Sequence, residues 1–156
     1  MKNCAFCNVT EMDKQWLLYE NEHWSVYFAD RQDYVGRCIV VARFHRESLS
    51  ELTTEEWLSL KKIIVATENL LKNEMNATMF NWSCLMNDAY KTEVPHPHVH
   101  FHVRPRYKTP ISIDNVQIVD TEFSHHYEPK KEMCLNESEI NSVFEKLKSK
   151  ADFYYH

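Results

Sequence analysis

Apolar and polar residues alternate most regularly between Pro95 and Pro105. Four histidines fill every second position of this stretch, and the positions between the later histidines are β-branched or aromatic. In an extended strand, a period of two puts all four imidazoles on one face and the apolar side chains on the other. An affinity tag would be terminal and would not alternate in this way. The pattern therefore predicts a strand with an apolar back and a titratable front made of His96, His98, His100 and His102.

The other predicted strands are segments rich in aromatic and β-branched residues, which favour extended backbone. The first two are separated by a short turn and predict a hairpin, whereas the continuous apolar run of the third indicates burial on both faces. These segments are 16–19, 24–28, 38–42 and 78–86, with a further small hairpin over 111–118.

Two amphipathic helices are predicted from apolar residues at helical spacing. The first begins after a capping box of Thr53 and Glu56 and ends near Asn73. The second covers residues 136–149. Strands and helices in this order, with short connections, predict an α+β fold with an antiparallel sheet.

Composition narrows the class of protein. The chain has 156 residues, of which 44% are hydrophobic and 26% charged, so we expect one globular domain. No apolar run approaches the ~20 residues that span a bilayer, and none follows Met1, so we expect a cytoplasmic protein without a membrane partner. A net charge of -5 weighs against general nucleic-acid binding but permits small anionic ligands.

The five cysteines are an odd number and argue against a disulfide framework. Cys4 and Cys7 have the Cys-x-x-Cys spacing that lets two thiolates bind one metal from a tight turn. A redox dithiol is less favoured, because no βαβ pattern surrounds the pair. Two unrelated cysteines are the remaining alternative.

The segment from His98 to Arg106 resembles the signature of the histidine triad family, His-φ-His-φ-His-φ-φ with φ apolar, followed by Pro-Arg. Arg104 breaks one φ position. Weaker matches extend the resemblance over residues 4–106 and leave 107–156 as a C-terminal extension. The resemblance implies a five-stranded antiparallel sheet with one long helix and a C-terminal helix, in a homodimer.

The same resemblance implies a nucleotidyl hydrolase or transferase. In this family the middle histidine, here His100, attacks an α-phosphate and forms a covalent nucleotidyl-histidine, and His102 assists it. Substrates of such enzymes include dinucleoside polyphosphates and nucleoside phosphoramidates. A catalytically weak, zinc-stabilised nucleotide-binding module is the alternative.

The resemblance also implies a structural zinc site. In many bacterial and archaeal members an N-terminal Cys-x-x-Cys joins two histidines around zinc, which here implies Cys4, Cys7, His45 and His98 as ligands. The family usually has Pro-x-x-His at the place of His45, and Ala42 replaces that proline.

Three further residues are assigned to substrate binding. Asp30 is at the place of a family residue that binds ribose hydroxyls, and Asn87 is at the place of one that hydrogen-bonds the α-phosphate. Either could instead be an ordinary turn residue. Arg104 supplies positive charge beside the histidines. The loop over 88–96 lacks the glycine and the Gln or Ser that most members carry, so the leaving group stays undecided.

Two alternatives stay open. His96-Pro97-His98 resembles the His-Pro-His of galactose-1-phosphate uridylyltransferases, a register in which His98 would attack and His96 would bind metal. Val99 and His100 stand where that pattern continues with Gly-Gln, which favours His100 as nucleophile. Beyond the core, the cluster 125–127 is either a surface loop or a contributor to the site.

Overall fold

The structure is a computed structural model that describes residues 4–133 and 135–156. Cys134 and the first three residues lie outside the described residues. The strands are β1 (Leu17–Glu20), β2 (Trp24–Phe28), β3 (Cys38–Ala42), β4 (Met79–Ser83), β5 (His100–Arg106), β6 (Ile111–Ile113) and β7 (Val116–Ile118). The α-helices are α1 (Glu11–Lys14), α2 (Thr54–Met75) and α3 (Glu137–Tyr155), and 3-10 turns cover Ala5–Cys7, Leu49–Glu51 and Asn87–Lys91.

Five strands form one antiparallel sheet in the order β1-β2-β3-β5-β4. The histidine-bearing strand β5 is therefore interior, between β3 and β4. Its register pairs His100 with Val41 and His102 with Ile39 on β3. Strands β6 and β7 form a separate hairpin. The predicted α+β fold, with a five-stranded antiparallel sheet, one long helix and one C-terminal helix, is confirmed.

The long helix α2 begins and ends at the signals that the sequence carries. Thr53 Oγ1 accepts a hydrogen bond from the Glu56 N–H at 3.2 Å, and the Glu56 carboxylate accepts one from the Thr53 N–H at 2.7 Å. Asn76, in the left-handed conformation with φ 59°, ends the helix. Apolar residues of α2 and α3 pack on the apolar face of the sheet, where Val99 and Val103 are fully buried.

The lengths of β4, β5 and α3 differ from the prediction, and β4 ends at Ser83 rather than at Met86. Strand β5 begins at His100 rather than near Pro95, because Pro95 and Pro97 have no N–H to give to a neighbouring strand. The chain before it stays anchored, since Val99 N–H donates to the Arg46 carbonyl at 2.8 Å. Helix α3 continues to Tyr155, whose ring stacks on Tyr19 at 4.4 Å between centroids.

The four cysteines among the described residues, Cys4, Cys7, Cys38 and Cys84, are free thiols. Within the described ranges, none of the helices combines the length and the apolar character that crossing a bilayer requires.

Candidate active site and metal centre

A row of polar side chains runs along the face of β5 that is turned away from α2. Period-two alternation puts His98, His100, His102 and Arg104 on this face. Their burial differs from that of a surface row, because His98, His100 and Arg104 are all buried. The N-terminal segment and the loop before β3 cover parts of the face, so the row lies inside a site rather than on open surface.

The four predicted metal ligands come together at the His98 end of the row. Nδ1 of His98 lies 3.2 Å from Sγ of Cys4 and 3.5 Å from Sγ of Cys7, and Nδ1 of His45 lies 3.3 Å from Sγ of Cys7. All four donor atoms lie within 4.8 Å of one another. A tetrahedral zinc ion with bonds of about 2.0–2.3 Å holds its ligand atoms about 3.3–3.8 Å apart. Two sulfur and two nitrogen donors at these separations fit zinc.

Hydrogen bonds at Nε2 orient both histidines of this cluster so that Nδ1 of each ring faces the thiols. Nε2 of His98 donates to the Ala42 carbonyl at 2.7 Å, so Nδ1 is left unprotonated and faces the thiols. Burial lowers the pKa of His98, which favours the neutral form that binds a metal. Nε2 of His45 lies 3.4 Å from the Glu47 carboxylate, the usual kind of partner for a ligating histidine.

His100 has its tautomer fixed by its own strand. Its Nδ1 lies 2.7 Å from the His98 carbonyl, and because a carbonyl can only accept, Nδ1 carries the proton. The lone pair of Nε2 is then free. Burial lowers the pKa of His100, and the imidazole is neutral at neutral pH. The ring of Phe6 lies against it, with 4.5 Å between centroids.

His102 has the opposite tautomer. Nη2 of Arg37 lies 3.2 Å from Nδ1 of His102, and a guanidinium can only donate, so Nδ1 accepts and Nε2 carries the proton. Burial lowers the pKa of His102 to about 4, together with competition for protons from His100 and the positive charges of Arg37 and Arg104. The face therefore offers a free lone pair at His100 beside an N–H donor at His102.

Arg104 lies at the far end of the row, among groups from two other parts of the chain, the loop before β3 and the C-terminal extension. Nη1 of Arg37 forms an ion pair with Asp33 at 2.9 Å, and the same carboxylate lies 3.8 Å from Nε of Arg104. The ring of Tyr127 stacks on the Arg104 guanidinium at 4.2 Å. Tyr127 thus reaches the site from the C-terminal extension, whereas His125 and His126 are exposed.

Two cavities open on this face, and Phe6 lines both. The larger, about 580 Å³, adjoins the nucleophile candidate and the metal cluster, and its lining includes His96, His98, His100 and Asp88. The smaller, about 260 Å³, has mostly apolar and aromatic walls, with two exposed carboxylates, Asp13 and Asp30; its lining also includes Trp16, Phe28, Ile39 and Val41. Together they have room for a nucleotide.

The two predicted turn residues are placed differently. Asp30 is exposed at the rim of the smaller cavity, and its carboxylate accepts the Arg31 N–H at 2.7 Å. Asn87 is the exposed first residue of a 3-10 turn, and its neighbours Met86 and Asp88, rather than Asn87, line the larger cavity. The negative charge of Asp88 raises the pKa values of both His100 and His102, against the larger, lowering effect of burial. A role for Asn87 at the phosphate stays a prediction.

The residues Arg37 and Phe6 belong to the site and were not singled out from the sequence. Arg37 has a signal there, because it precedes Ile39 and Val41 at the same period-two parity and so shares their face. Phe6 lies between the two cysteines, and the sequence there does not indicate whether its ring packs in the core or at the site. For the cluster 125–127 the sequence left open a surface loop or a contribution to the site, and of its three residues Tyr127 is the one that contacts Arg104.

Gly36 fixes the approach to Arg37. It is the one glycine of the chain and has φ +84°, and a Cβ there would lie 3.1–3.3 Å from Leu71, Pro105 and Tyr107. Both positive φ and close packing therefore require glycine.

Comparison with known proteins gives partial matches. No protein-family model matches the chain. It is 28% identical over 109 residues to an uncharacterized 16.1 kDa HIT-like protein from Mycoplasma pneumoniae, covering 69% of this chain and 74% of that one. A crystal structure of a HIT family protein from Bacillus anthracis is 29% identical, with a TM-score of 0.54, covering 67% of this chain and 74% of that chain.

A Zn-bound histidine triad family protein from Mycobacterium smegmatis resembles nearly the whole chain in fold. The TM-score is 0.59 and the match covers 97% of both chains, at 17% sequence identity. Agreement at this identity concerns the fold alone, and it extends the likeness beyond residue 106 into the C-terminal extension.

Proposed function

This chain belongs to the histidine triad family, and we propose that it hydrolyses or transfers nucleotides at the α-phosphate through a covalent nucleotidyl-histidine on His100. The proposed substrates are dinucleoside polyphosphates or nucleoside phosphoramidates. The hydrogen bond from His100 Nδ1 to the His98 carbonyl carries this proposal, because it leaves Nε2 as a free nucleophile.

The reaction divides one displacement into two. The lone pair of His100 Nε2 forms a bond to the α-phosphorus while the bond from phosphorus to the leaving group breaks, and the leaving group takes that electron pair. A phosphate leaves as an anion, whereas an amine takes up a proton from solvent. Water then attacks the same phosphorus and loses a proton to solvent, and the electron pair of the N–P bond returns to Nε2 of neutral His100. The N–H of His102 Nε2, held by Arg37, donates to phosphate oxygens as their charge grows.

The smaller cavity suits the nucleoside. Trp16 and Phe28 offer apolar surface to a base, and Asp30 at the rim can accept from ribose hydroxyls. Phe6, between the two cavities, can contact the nucleoside and the nucleophile at once.

We propose zinc as the metal held by Cys4, Cys7, His45 and His98. With four protein ligands the ion would have no open position for water, so it would stabilise the fold and supply no step of the reaction. This ligand set also supports His100 over His98 as nucleophile. In His98, Nε2 donates to Ala42 and Nδ1 faces the thiols, so neither nitrogen is available to attack.

The test is turnover by His100→Asn, compared with wild type, on a fluorogenic adenosine phosphoramidate and on diadenosine tetraphosphate. We expect the variant to lose at least about 10⁴-fold in kcat while its metal content and melting temperature stay unchanged. Mass spectrometry of quenched wild type should detect a nucleotidyl adduct that the variant lacks. Nucleotide binding without turnover of either substrate by wild type would support the binding module instead.

We also propose a homodimer, as the family resemblance implies. Helix α2 exposes Trp57, Leu58 and Val65, apolar side chains that a second subunit could cover. Light scattering at micromolar concentration should give twice the chain mass of 18.7 kDa. A mass of one chain would rule the dimer out.

A further inference from the structure

The arginine end of the histidine row has more hydrogen-bond donors than the described residues supply acceptors. Arg37 and Arg104 are only 8% and 6% exposed. Nε of Arg37 and both Nε and Nη1 of Arg104 are buried without a hydrogen-bond partner. Buried charged donors without acceptors cost stability, so such a group in a native protein calls for an explanation.

Arg106, two residues further along the same strand, shows that the fold can satisfy a buried guanidinium. Its Nε and Nη2 donate to the two carboxylate oxygens of Asp120 at 2.6 and 3.1 Å. The remaining donors reach Asn81, at 3.2 Å, and the carbonyls of Glu122 and His125. The unpaired N–H groups of Arg104 therefore result from its own surroundings and not from a general feature of strand β5.

Charge at this end is also unbalanced. Asp33 is the carboxylate that the two guanidiniums share, so one positive charge is left over in a buried position. Tyr127 covers the face of Arg104 by a cation–π contact but accepts none of its in-plane N–H groups. A ligand that completes the site must be an anion with several acceptor oxygens.

The site adjoins the reacting centre. Cys38 pairs with Val103, which puts Arg37 beside Arg104 on the histidine face, and Arg37 also contacts His102. On the other side of β5, Ser83 pairs with His102, and its buried hydroxyl has no hydrogen-bond partner either. An anion held here would lie next to the phosphate that His100 attacks.

We propose that Arg37, Arg104 and Ser83 form a subsite for a second phosphoryl group, the one that belongs to the leaving group. This inference rests on the proposed function and narrows it to substrates with a P–O–P linkage. When the bond between the α-phosphorus and the bridging oxygen breaks, that oxygen keeps the electron pair and a negative charge develops on the departing phosphate. Two guanidiniums stabilise that charge, whereas a neutral amine leaving group needs no such subsite.

The test compares kcat/KM for diadenosine tetraphosphate and for an adenosine phosphoramidate with a neutral amine leaving group. Arg104→Met should lower the first about 30-fold and the second less than about threefold, because charged hydrogen bonds to one leaving group alone are lost. Arg104→Lys keeps the charge without the planar fork and should give an intermediate loss on the first substrate. Lys130→Met, an exposed lysine in the extension, controls for net charge and should alter neither value.

Equal losses on both substrates, or no loss on either, would overturn the subsite. If wild type turns over neither substrate, the proposed function fails, and calorimetry with inorganic pyrophosphate tests the subsite separately. Pyrophosphate binding that is kept in His100→Asn and lost in Arg104→Met would support the subsite. Equal pyrophosphate binding by the two variants would overturn the subsite.

Discussion

The two ends of the histidine row are suited to ligands of opposite charge. At the His98 end, thiols and unprotonated imidazole nitrogens converge, so lone pairs are in excess and a cation is required. At the Arg104 end, about 20 Å along the extended chain, N–H donors are in excess and an anion is required. His100 lies between them with one free lone pair. One strand can thus separate the proposed structural metal from the proposed reacting phosphate. Alternation keeps all these groups on one face, while strand register determines the neighbours of each.

The largest expected effect is at the metal end. His98→Asn removes a ligand from the closed site and should release the metal and lower the melting temperature by about 10 °C or more, since binding energy at a structural zinc site contributes to folding. Metal analysis and thermal unfolding of protein purified without an affinity tag give the measurement. His96→Asn is the matched control, because His96 lies two residues away and outside the cluster. If His98→Asn retained one equivalent of metal and its melting temperature were unchanged, the proposed zinc site would be contradicted.

A smaller effect is expected for Arg37, the residue of the arginine end that contacts His102. Arg37→Met removes the donor that fixes the Nε2–H tautomer of His102, so kcat for the phosphoramidate should fall about tenfold with KM little changed. Steady-state kinetics on the two variants Arg37→Met and Arg104→Met separate the roles, since only Arg37 touches His102. A rise in KM with unchanged kcat would mean that Arg37 binds substrate without orienting His102.

The smallest effect is a pH dependence of stability at His102. Burial and neighbouring positive charge put its folded-state pKa at about 4, below the unfolded value near 6.5. As the pH falls, the unfolded state therefore binds the proton first. The stability due to neutral His102 is present above pH 6.5 and is lost progressively as the pH falls towards 4.

His102→Gln should lack this dependence. Between pH 7 and pH 5, the urea-derived unfolding free energy of wild type should fall by about 1 kcal/mol more than that of His102→Gln, after allowance for solvent screening at this partly exposed ring. Arg37→Met should reduce the difference, because a charge that depresses the pKa is gone. Parallel pH profiles for wild type and His102→Gln would contradict the assigned burial of the ring.

Much of the fold could be predicted from local pattern. The capping box at Thr53, the apolar run of β3 and the alternation of β5 each specify an element by short-range chemistry, and the structure has all three. The ends of elements were harder. Strand β5 starts late because two prolines remove hydrogen-bond donors, and α3 runs on to Tyr155 because tertiary contacts with Thr67 and Tyr19 hold its last turn.

The candidate metal set could also be predicted, since spacing and family resemblance together named all four residues that the structure brings together. Substrate contacts were less predictable. Asp30 lies at a cavity, but Asn87 is exposed beside one, because the loop after β4 forms a 3-10 turn whose shape the sequence around residues 88–96 did not indicate.

Spacings of a few residues specify which face the histidines share, the order of the strands and helices, and which donors could hold a metal. The partners of each histidine depend instead on the tertiary structure. The contact of Arg37 with His102 spans 65 positions, and Tyr127 reaches Arg104 only through the path of the extension. Such contacts follow from strand register and from how the chain returns to the sheet, and neither leaves a periodic signal in a single sequence.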